Sequence, residues 1–252
     1  MTFSITVPCL NGIPFLAQTL QSIQNNLQEV QGEIVYQDAG STDGSIEIAR
    51  SLLPPTSIHL EKDRGQYDAI NRGFHRSQGE ILSWLNADDT LKPGALRSVE
   101  KIFKKHPTIQ WIVGGFEMID RHGKPVRKIH QAYKHWLLKH YRNELLFFEN
   151  PIPQMSVFIR KEIFLKCGDL APYPLALDYD YWLRLSAHHT PWITLDILSQ
   201  FRWHADSKSA RNPIRLFEEQ YEVACRYTEN PIYRLLHRIT RERNRIFYSW
   251  LP

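Results

Sequence analysis

An apolar run that ends in two adjacent carboxylates constrains this chain more than any other feature. Residues 81–85 read Ile-Leu-Ser-Trp-Leu, and Asp88 and Asp89 follow after two further residues. The run predicts a buried strand, and ligands of open α/β sheets bind beyond the carboxyl ends of such strands. Carboxylates at this edge commonly share a hard divalent cation with phosphates. Two acids before Pro93-Gly94 are also ordinary turn and helix-cap chemistry, so the rest of the chain must decide.

Strand-like and helix-like segments alternate through the first hundred residues. Short apolar segments predict strands, whereas apolar residues spaced three and four apart predict helices. The predicted strands cover residues 5–8, 33–37, 57–60 and 80–85, and the predicted helices cover 14–25, 45–53, 67–77 and 93–104. Repeated β-α units of this length predict an α/β fold with a mostly parallel sheet flanked by helices.

The pattern changes after about residue 110. The sequence predicts a hairpin-like insertion with strands over 109–116 and 125–129, helices over 133–148 and 178–186, and extended segments over 154–159 and 192–203. An amphipathic helix is expected at the end, with one face formed by Ile232, Leu235, Leu236, Ile239, Ile246, Phe247 and Trp250. We therefore expect one compact domain over residues 1–209 and a helical extension over 210–252.

The composition indicates a folded protein that is neither disordered nor membrane-spanning. Of its 252 residues, 42% are hydrophobic and 23% are charged, and no apolar run approaches the roughly 20 residues of a membrane helix. The first residues lack a basic region, which favours a first strand over a signal peptide. Three widely spaced cysteines have no metal or redox spacing, so a reduced, cytoplasmic protein is expected.

Two segments carry the excess of positive charge. Residues 121–142 contain seven Lys or Arg, four His and no acid, and residues 231–252 contain five Arg against Glu242. Each segment is either a solvated surface or a patch facing an anionic partner such as a membrane surface. No nucleic-acid-binding motif accompanies them, so we expect no nucleic-acid partner.

Polar residues follow the first two predicted strands. Pro8 and Asn11 lie in the first turn, where Asn-Gly permits positive φ and close ligand approach. Asp38 ends the second strand, where a carboxylate can accept hydrogen bonds from a ribose or a base. A cap of the next helix would need an acid later in the turn, so we expect ligand contact for Asp38 and helix capping for Asp43.

A third polar element begins a helix. Asp68 and Asn71 are spaced three apart and share one face, while Ile70 and Phe74 supply the buried face. The two polar side chains are therefore predicted to point together towards the strand ends, although a polar surface would give the same pattern.

These segments, taken in order, resemble a known family. Asn-Gly after the first strand precedes the motifs DAGSTDGS, DRGQYDAINRG and WLNADD, followed by QMSVF, LDYDYWLR and RWHADSKS. Their order and separation are similar to those of the inverting glycosyltransferases of family 2, which have the GT-A fold. The resemblance covers roughly residues 3–209.

The resemblance implies a nucleotide-diphosphate sugar donor and places residues around it. Asp38 would contact the base, and the turn with Pro8 and Asn11 would pack on the nucleotide. Asp68 and Asn71 would line the nucleotide-sugar pocket. Two further candidates at the donor site are Asn86, where many relatives carry an acid, and Asp89, which would support the acceptor side or the loop.

The same resemblance implies a metal and a base. Asp88 would hold Mg²⁺ or Mn²⁺ against the diphosphate, and His204 is a candidate further ligand, with a purely structural role as the alternative. Asp178 matches the catalytic base and is preferred over Asp180, which lies on another side of the helix. Leu177 stands where many relatives have an acid before the base.

The leading interpretation is therefore an inverting glycosyltransferase that acts on a glycan or lipid-linked acceptor in polysaccharide or glycolipid biosynthesis. The basic, amphipathic carboxyl-terminal helix would favour the inner face of a membrane. The alternatives are an inactive nucleotide-sugar-binding scaffold, favoured by Asn86 and Leu177, and a sugar-phosphate nucleotidyltransferase. The latter usually needs a basic Gly-rich loop near the amino terminus, and residues 8–14 contain no Lys or Arg.

Overall fold

A mixed sheet flanked by helices forms the centre of the computed structural model. The structure describes residues 1–249, and for Ser209 and residues 247–249 it describes the backbone alone. Within the described residues the sheet has eight strands in the order β3-β2-β1-β4-β7-β6-β8-β5. The strands are β1 Phe3–Cys9, β2 Gly32–Asp38, β3 Ile58–Leu60, β4 Ile81–Trp84, β5 Thr90–Leu91, β6 Trp111–Ile119, β7 Val157–Arg160 and β8 Trp192–Arg202. The α/β fold class predicted from the sequence is confirmed.

Helices flank the sheet and form the carboxyl-terminal end of the described chain. They are α1 Leu16–Leu27, α2 Ser45–Leu52, α3 Gln66–Arg76, α4 Ala95–Lys105, α5 Lys128–Lys139, α6 Lys161–Cys167, α7 Leu177–His188, α8 Lys208–Arg211, α9 Pro213–Tyr227 and α10 Pro231–Ser249. Short 3₁₀ turns occur at Pro55–Ser57, Asn143–Phe147 and Gln154–Ser156.

The parallel half of the sheet aligns the carboxyl ends of its strands. β1 pairs in parallel with β2 on one side and with β4 on the other, and β2 pairs in parallel with β3. Cys9 lies opposite Asp38, and Thr6 lies opposite Trp84, so the loops after β1, β2 and β4 emerge at one edge. This edge is where an open α/β sheet binds ligands.

The second half of the sheet is mixed and brings β8 back to the acidic loop. β7 is antiparallel to β4 and β6, β6 is parallel to β8, and β5 is antiparallel to β8. The last pairing sets Thr90 opposite Gln200, which places Arg202 and His204 beside the loop that carries Asp88 and Asp89.

Two hydrophobic cores lie around the sheet. One contains Leu16, Leu20 and Phe103, and the other contains an indole stack in which the Trp182 ring lies 5.4 Å from Trp84 and 5.8 Å from Trp111. Trp182 has no exposed surface, as expected for a core residue. This stack fixes α7 against the sheet and so positions the first turn of α7.

The predicted strand over residues 125–129 is wrong. Pro125 forms only an isolated bridge with Ile119, and α5 begins at Lys128. The turn after Asp120 contains Gly123 at φ +81°, and Arg127 at φ +52° redirects the chain into the helix. The residues that suggested a strand therefore form a turn and the first turn of α5.

The carboxyl-terminal segment forms two helices. α9 packs against α7, and α10 packs against α9. The described apolar residues of the predicted α10 face are exposed by 37% to 63%, whereas Trp250 lies outside the described residues. Among residues 1–249, no helix has both the length and the apolar content needed to cross a membrane.

Candidate active site

The first two loops at the sheet edge are held together by side chains of Ser and Asn. The Asn11 N–H donates to Ser41 Oγ at 2.8 Å, and Asn11 Oδ1 accepts from the Thr42 N–H at 2.9 Å. The Gly12 N–H donates to Ser45 Oγ at 2.8 Å. Asn11 adopts φ +57°, a left-handed conformation in which Asn is enriched. The two loops therefore form one preorganised unit beside Pro8.

Asp38 is the buried centre of that unit. Its Oδ1 accepts from the N–H groups of Gly40 and Ser41, and its Oδ2 accepts from the hydroxyls of Tyr36 and Ser41. The side chain has no exposed surface, so it stabilises the loop in the ligand-free protein. Its contact with a base stays a prediction. Asp43 accepts from the Ser45 N–H at the start of α2, next to an N-cap occupied by Gly44.

Asp68 and Asn71 are both buried and engaged with the protein. Asp68 pairs with Arg64 at 2.9 Å and with Arg72 at 2.8 Å, and the hydrogen bond from Arg64 is the main reason why its pKa is lowered. Asn71 donates to the Leu170 carbonyl and accepts from the Leu170 N–H. Asn71 thus fixes the segment before α7, while the prediction that both residues line a nucleotide-sugar pocket stays a prediction.

Asn86 is the junction of an amide network. Its Oδ1 accepts from Gln66 Nε2 at 2.8 Å, and its Nδ2 donates to Gln154 Oε1 at 3.1 Å. Gln154 in turn donates to the Trp84 carbonyl at 2.7 Å. A carboxylate could not donate to Gln154, which gives a physical reason for an amide at position 86.

Asp88 and His204 meet at the edge of the acidic loop. Asp88 Oδ2 lies 3.0 Å from His204 Nε2, and the two side chains are 29% and 15% exposed. The imidazole ring centre lies 4.9 Å from that of Phe15, the N-cap residue of α1. No group of three or more His, Cys, Asp or Glu side chains able to hold a metal occurs among the described residues. Two protein donors fit a divalent cation whose other ligands are phosphate oxygens and water.

Asp89 lies behind this pair and is fully buried. Its Oδ1 accepts from the Arg202 N–H at 2.9 Å, and burial together with the neighbouring Asp88 raises its pKa well above the usual value. The Arg202 guanidinium donates to the Asp88 carbonyl at 2.9 Å and lies 4.6 Å from the Phe15 ring centre. Arg202 therefore fixes the backbone of the acidic loop, a role that the sequence did not reveal.

Asp178 occupies the first turn of α7. Its Oδ1 accepts from the Tyr179 N–H at 2.8 Å. Burial is the main cause that raises the pKa of Asp178 to about 6; the Glu219 charge acts in the same direction and the Lys208 charge opposes the rise. The Asp180 carboxylate, in contrast, accepts hydrogen bonds from Arg184 at 3.0 Å and from the Tyr227 hydroxyl at 2.7 Å. Of the two acids, Asp178 is the one suited to exchange a proton near neutral pH.

Two residues that the sequence did not single out connect Asp178 to the rest of the site. Glu219 of α9 accepts from the N–H groups of Leu175 and Ala176 at 2.7 and 3.1 Å, which holds the chain directly before α7. Lys208 Nζ donates to Gln66 Oε1 at 3.2 Å and is therefore linked to the amide network. Lys208 lies in the motif RWHADSKS, whereas Glu219 has no local signal.

These features define a class of protein: an α/β protein with a preformed ligand edge, an Asp–His pair at that edge and a carboxylate with a raised pKa. The model of the family described as "Glycosyl transferase family 2" matches residues 4–167, well over half of the chain. The chain therefore belongs to glycosyltransferase family 2 and is a glycosyltransferase.

Comparison with individual proteins agrees with this assignment. A curated relative in Mycobacterium bovis, named "PGL/p-HBAD biosynthesis glycosyltransferase", is 31% identical over 193 residues, which cover 72% of this chain and 68% of the relative.

Two solved structures share the fold at 15% sequence identity. A mannosyltransferase from Pyrobaculum calidifontis, solved with GDP-Man and Mn²⁺, superposes with a TM-score of 0.70 over 98% of this chain and 71% of that chain. S. aureus TarS 1–349 with UDP-GlcNAc gives a TM-score of 0.66 over 99% of this chain and 73% of that chain. This chain spans 43% of the longer S. aureus TarS chain.

Proposed function

We propose that this glycosyltransferase moves a sugar, with inversion, from a nucleotide-diphosphate sugar to an acceptor hydroxyl in glycolipid or polysaccharide biosynthesis. The observation that carries the proposal is the connection between Asp178 and the Asp88–His204 pair. Lys208, whose charge acts on Asp178, donates to Gln66, and Gln66 donates to Asn86, two residues before Asp88. The charge that acts on the base is therefore hydrogen-bonded to the amide network that precedes the candidate cation site.

The proposed reaction is one displacement at the anomeric carbon. Asp178 accepts the proton of the acceptor hydroxyl as the oxygen–carbon bond forms and the bond from the anomeric carbon to the diphosphate breaks. A single displacement inverts the configuration and needs no covalent intermediate. A positioned base contributes about 10²–10⁴-fold to such a step.

Asp88 and His204 are the residues that would hold Mg²⁺ or Mn²⁺. A divalent cation bound with the donor would neutralise the negative charge that develops on the leaving diphosphate. The P. calidifontis mannosyltransferase, which was solved in complex with GDP-Man and Mn²⁺, supports this cofactor class. Asp38, Asn11 and the amide network would hold the nucleotide end of the donor.

Calorimetric titration with UDP, GDP, dTDP and CDP, each with and without Mn²⁺, tests the donor class. We expect metal-dependent binding of one nucleotide by the wild type and loss of the metal response in Asp88→Ala. Exposed Asp196→Ala, on β8 outside the site, serves as a matched control. Absence of binding by all four nucleotides would contradict the proposal and favour the inactive-scaffold alternative.

We also propose that α10 docks on the inner surface of a membrane. Its exposed apolar residues, which include Leu235 and Ile239, occupy an arc of about 100° at the helical spacing. The arginines are already engaged: Arg238 donates to the Tyr221 hydroxyl and Arg243 to Glu149. Insertion of the apolar face is therefore expected to dominate over attraction to anionic lipid.

Vesicle co-sedimentation of the full chain tests this docking. A double variant with Leu235→Ser and Ile239→Ser should be released from neutral and anionic vesicles alike, because it lacks the apolar face that inserts into the membrane. Leu165→Ser on α6 removes an equally exposed leucine and should have no effect. Unchanged binding by the α10 variants would remove the membrane proposal while leaving the transferase proposal intact.

A further inference from the structure

A cavity of about 830 Å³ lies beside the candidate active site and has no role in the proposed transfer step. It is open on one side and is lined by α5, by residues 148–150 and by the facing sides of α9 and α10. Its volume is in the range of sites that bind small organic ligands.

The lining of the cavity combines apolar walls with a basic rim. The apolar side is formed by Ile129, Tyr133, Phe148, Leu216 and Phe217. Five lining residues are Arg or Lys, and a single one is an acid.

The acid is Glu149, and it is already neutralised within the protein. It pairs with Lys134 at 2.9 Å and with Arg243 at 2.5 Å, and these partners lower its pKa in spite of its burial. Five cationic side chains thus stand against one acid in the lining, and Lys128 is exposed at the start of α5, whereas Arg241 of α10 pairs with Glu242 at 2.8 Å. The lining is complementary to a ligand with an apolar body and an anionic group.

One contact, one short chain segment and one shared helix connect this cavity to the candidate active site. The Arg127 guanidinium at its rim lies 3.6 Å from the centre of the Trp203 ring, directly before His204. Asn150 leads through three residues to Gln154 of the amide network. α9 lines the cavity with Leu216 and Phe217 and also carries the side chain that holds the start of α7. An occupant of the cavity would thus rest on the elements that position the base.

We infer that this cavity binds the apolar chain of a lipid phosphate, with the phosphate held at the basic rim. The statement that this lipid phosphate is part of the acceptor rests on the proposed function, which the inference deepens. A purely polar anion would leave the apolar walls without a partner, and a neutral lipid would leave the excess positive charge of the lining uncompensated. α10 lines the cavity with polar side chains such as His237 and Thr240, so the apolar walls come from α5, residue 148 and α9.

Binding of decyl phosphate below its micellar concentration, measured by calorimetry on the full chain without donor, tests the inference. We expect one molecule per chain, bound at least about tenfold more tightly than decanol or inorganic phosphate, because a charged hydrogen-bond partner contributes on that scale. Equal affinity for decyl phosphate and decanol would overturn the role of the rim. Equal affinity for decyl phosphate and inorganic phosphate would overturn the role of the apolar walls.

Two matched pairs of variants locate the binding. Leu216→Trp fills the cavity and should weaken decyl phosphate binding at least about tenfold, whereas Ile214→Trp, exposed on the same helix, should not. Lys128→Glu reverses an exposed rim charge without a risk to the core and should weaken binding similarly, whereas Lys139→Glu at the other end of α5 should not. Wild-type affinity in Leu216→Trp and Lys128→Glu would overturn the inference.

Nucleotide titration of the same samples separates the two proposals. Decyl phosphate binding that is lost in the cavity variants, with nucleotide binding unchanged, would support the inference. If no nucleotide binds the wild type while decyl phosphate still does, the cavity assignment stands and the proposed transfer reaction fails.

Discussion

Titration of Asp178 should set the acidic limb of the transfer rate. The carboxylate must be ionised to accept the proton of the acceptor hydroxyl, and burial raises its pKa to about 6 from 3.8. The active form of the base is therefore lost as the pH falls through about 6, whereas an ordinary exposed aspartate would stay ionised down to about pH 4.

The size of the effect follows from the two pKa values. With a pKa of about 6, roughly nine tenths of the carboxylate is ionised at pH 7 and roughly one tenth at pH 5. The value of kcat/KM at pH 5 should therefore be about tenfold below its plateau. With an ordinary aspartate pKa of 3.8, the loss at pH 5 would be less than about a tenth of the plateau rate.

The assay is the pH profile of kcat/KM with the nucleotide donor identified by titration. Asp178→Asn should lower kcat by about 10²–10⁴-fold and leave nucleotide affinity unchanged, because only the base is removed. Lys208→Met should move the acidic limb to higher pH, since the Lys208 charge lowers the pKa of Asp178. Glu219→Gln should move it to lower pH, since the Glu219 charge raises that pKa.

Opposite shifts in the two neighbour variants separate this assignment from general damage to the site. Three results would refute the reasoning: an acidic limb near pH 4 in the wild type, limbs that do not move in Lys208→Met and Glu219→Gln, or turnover by Asp178→Asn within a few-fold of wild type.

Three further predictions concern the Asp88–His204 pair and the packing around the site. Asp88→Ala should reduce the effect of Mn²⁺ on nucleotide affinity by more than about tenfold, measured by calorimetry, and an unchanged metal response would move the metal elsewhere. Asn71→Ala leaves the buried N–H and carbonyl of Leu170 without partners, so chemical denaturation should show a loss of about 2–4 kcal/mol, and a loss below about 1 kcal/mol would contradict this account. Gly73→Ala should lower the free energy of unfolding by about 1–3 kcal/mol, although alanine has the higher helix propensity, because the added Cβ would overlap the Thr6 side chain. A stabilised variant would disprove that packing.

Elements with a strong local pattern could be predicted from the sequence. The predicted strand over residues 33–37 became β2 Gly32–Asp38, and the predicted helix over 67–77 became α3 Gln66–Arg76. Apolar periodicity determines such elements directly, because each buries its own face against the sheet. The two-residue strand β5 could not be predicted, since its pairing with β8 depends on contacts 110 residues apart in sequence.

The site divides in the same way. Motifs brought Asp88, Asp178 and His204 to attention, and the structure shows that Asp88 and His204 meet. The role of Glu219 could not be inferred, because it depends on how α9 packs against the start of α7. The four hydrogen bonds to Asp38, three from its loop and one from Tyr36 of β2, could not be inferred either, because the sequence shows that a carboxylate is present but not which donors it accepts from.

The amide at position 86 has a consequence for how the metal and the donor bind. Asp89 is buried beside Asp88 and its pKa is raised, so a third carboxylate at position 86 would add a like charge to an acidic loop that already disfavours one. Asn86 avoids that repulsion and uses its amide to bind Gln66 and Gln154 instead. A cation at the Asp88–His204 pair must then take its remaining ligands from the donor diphosphate and water. If the proposed cation site is used, we expect metal and nucleotide to favour each other's binding, and linkage then requires the two enhancements to be equal.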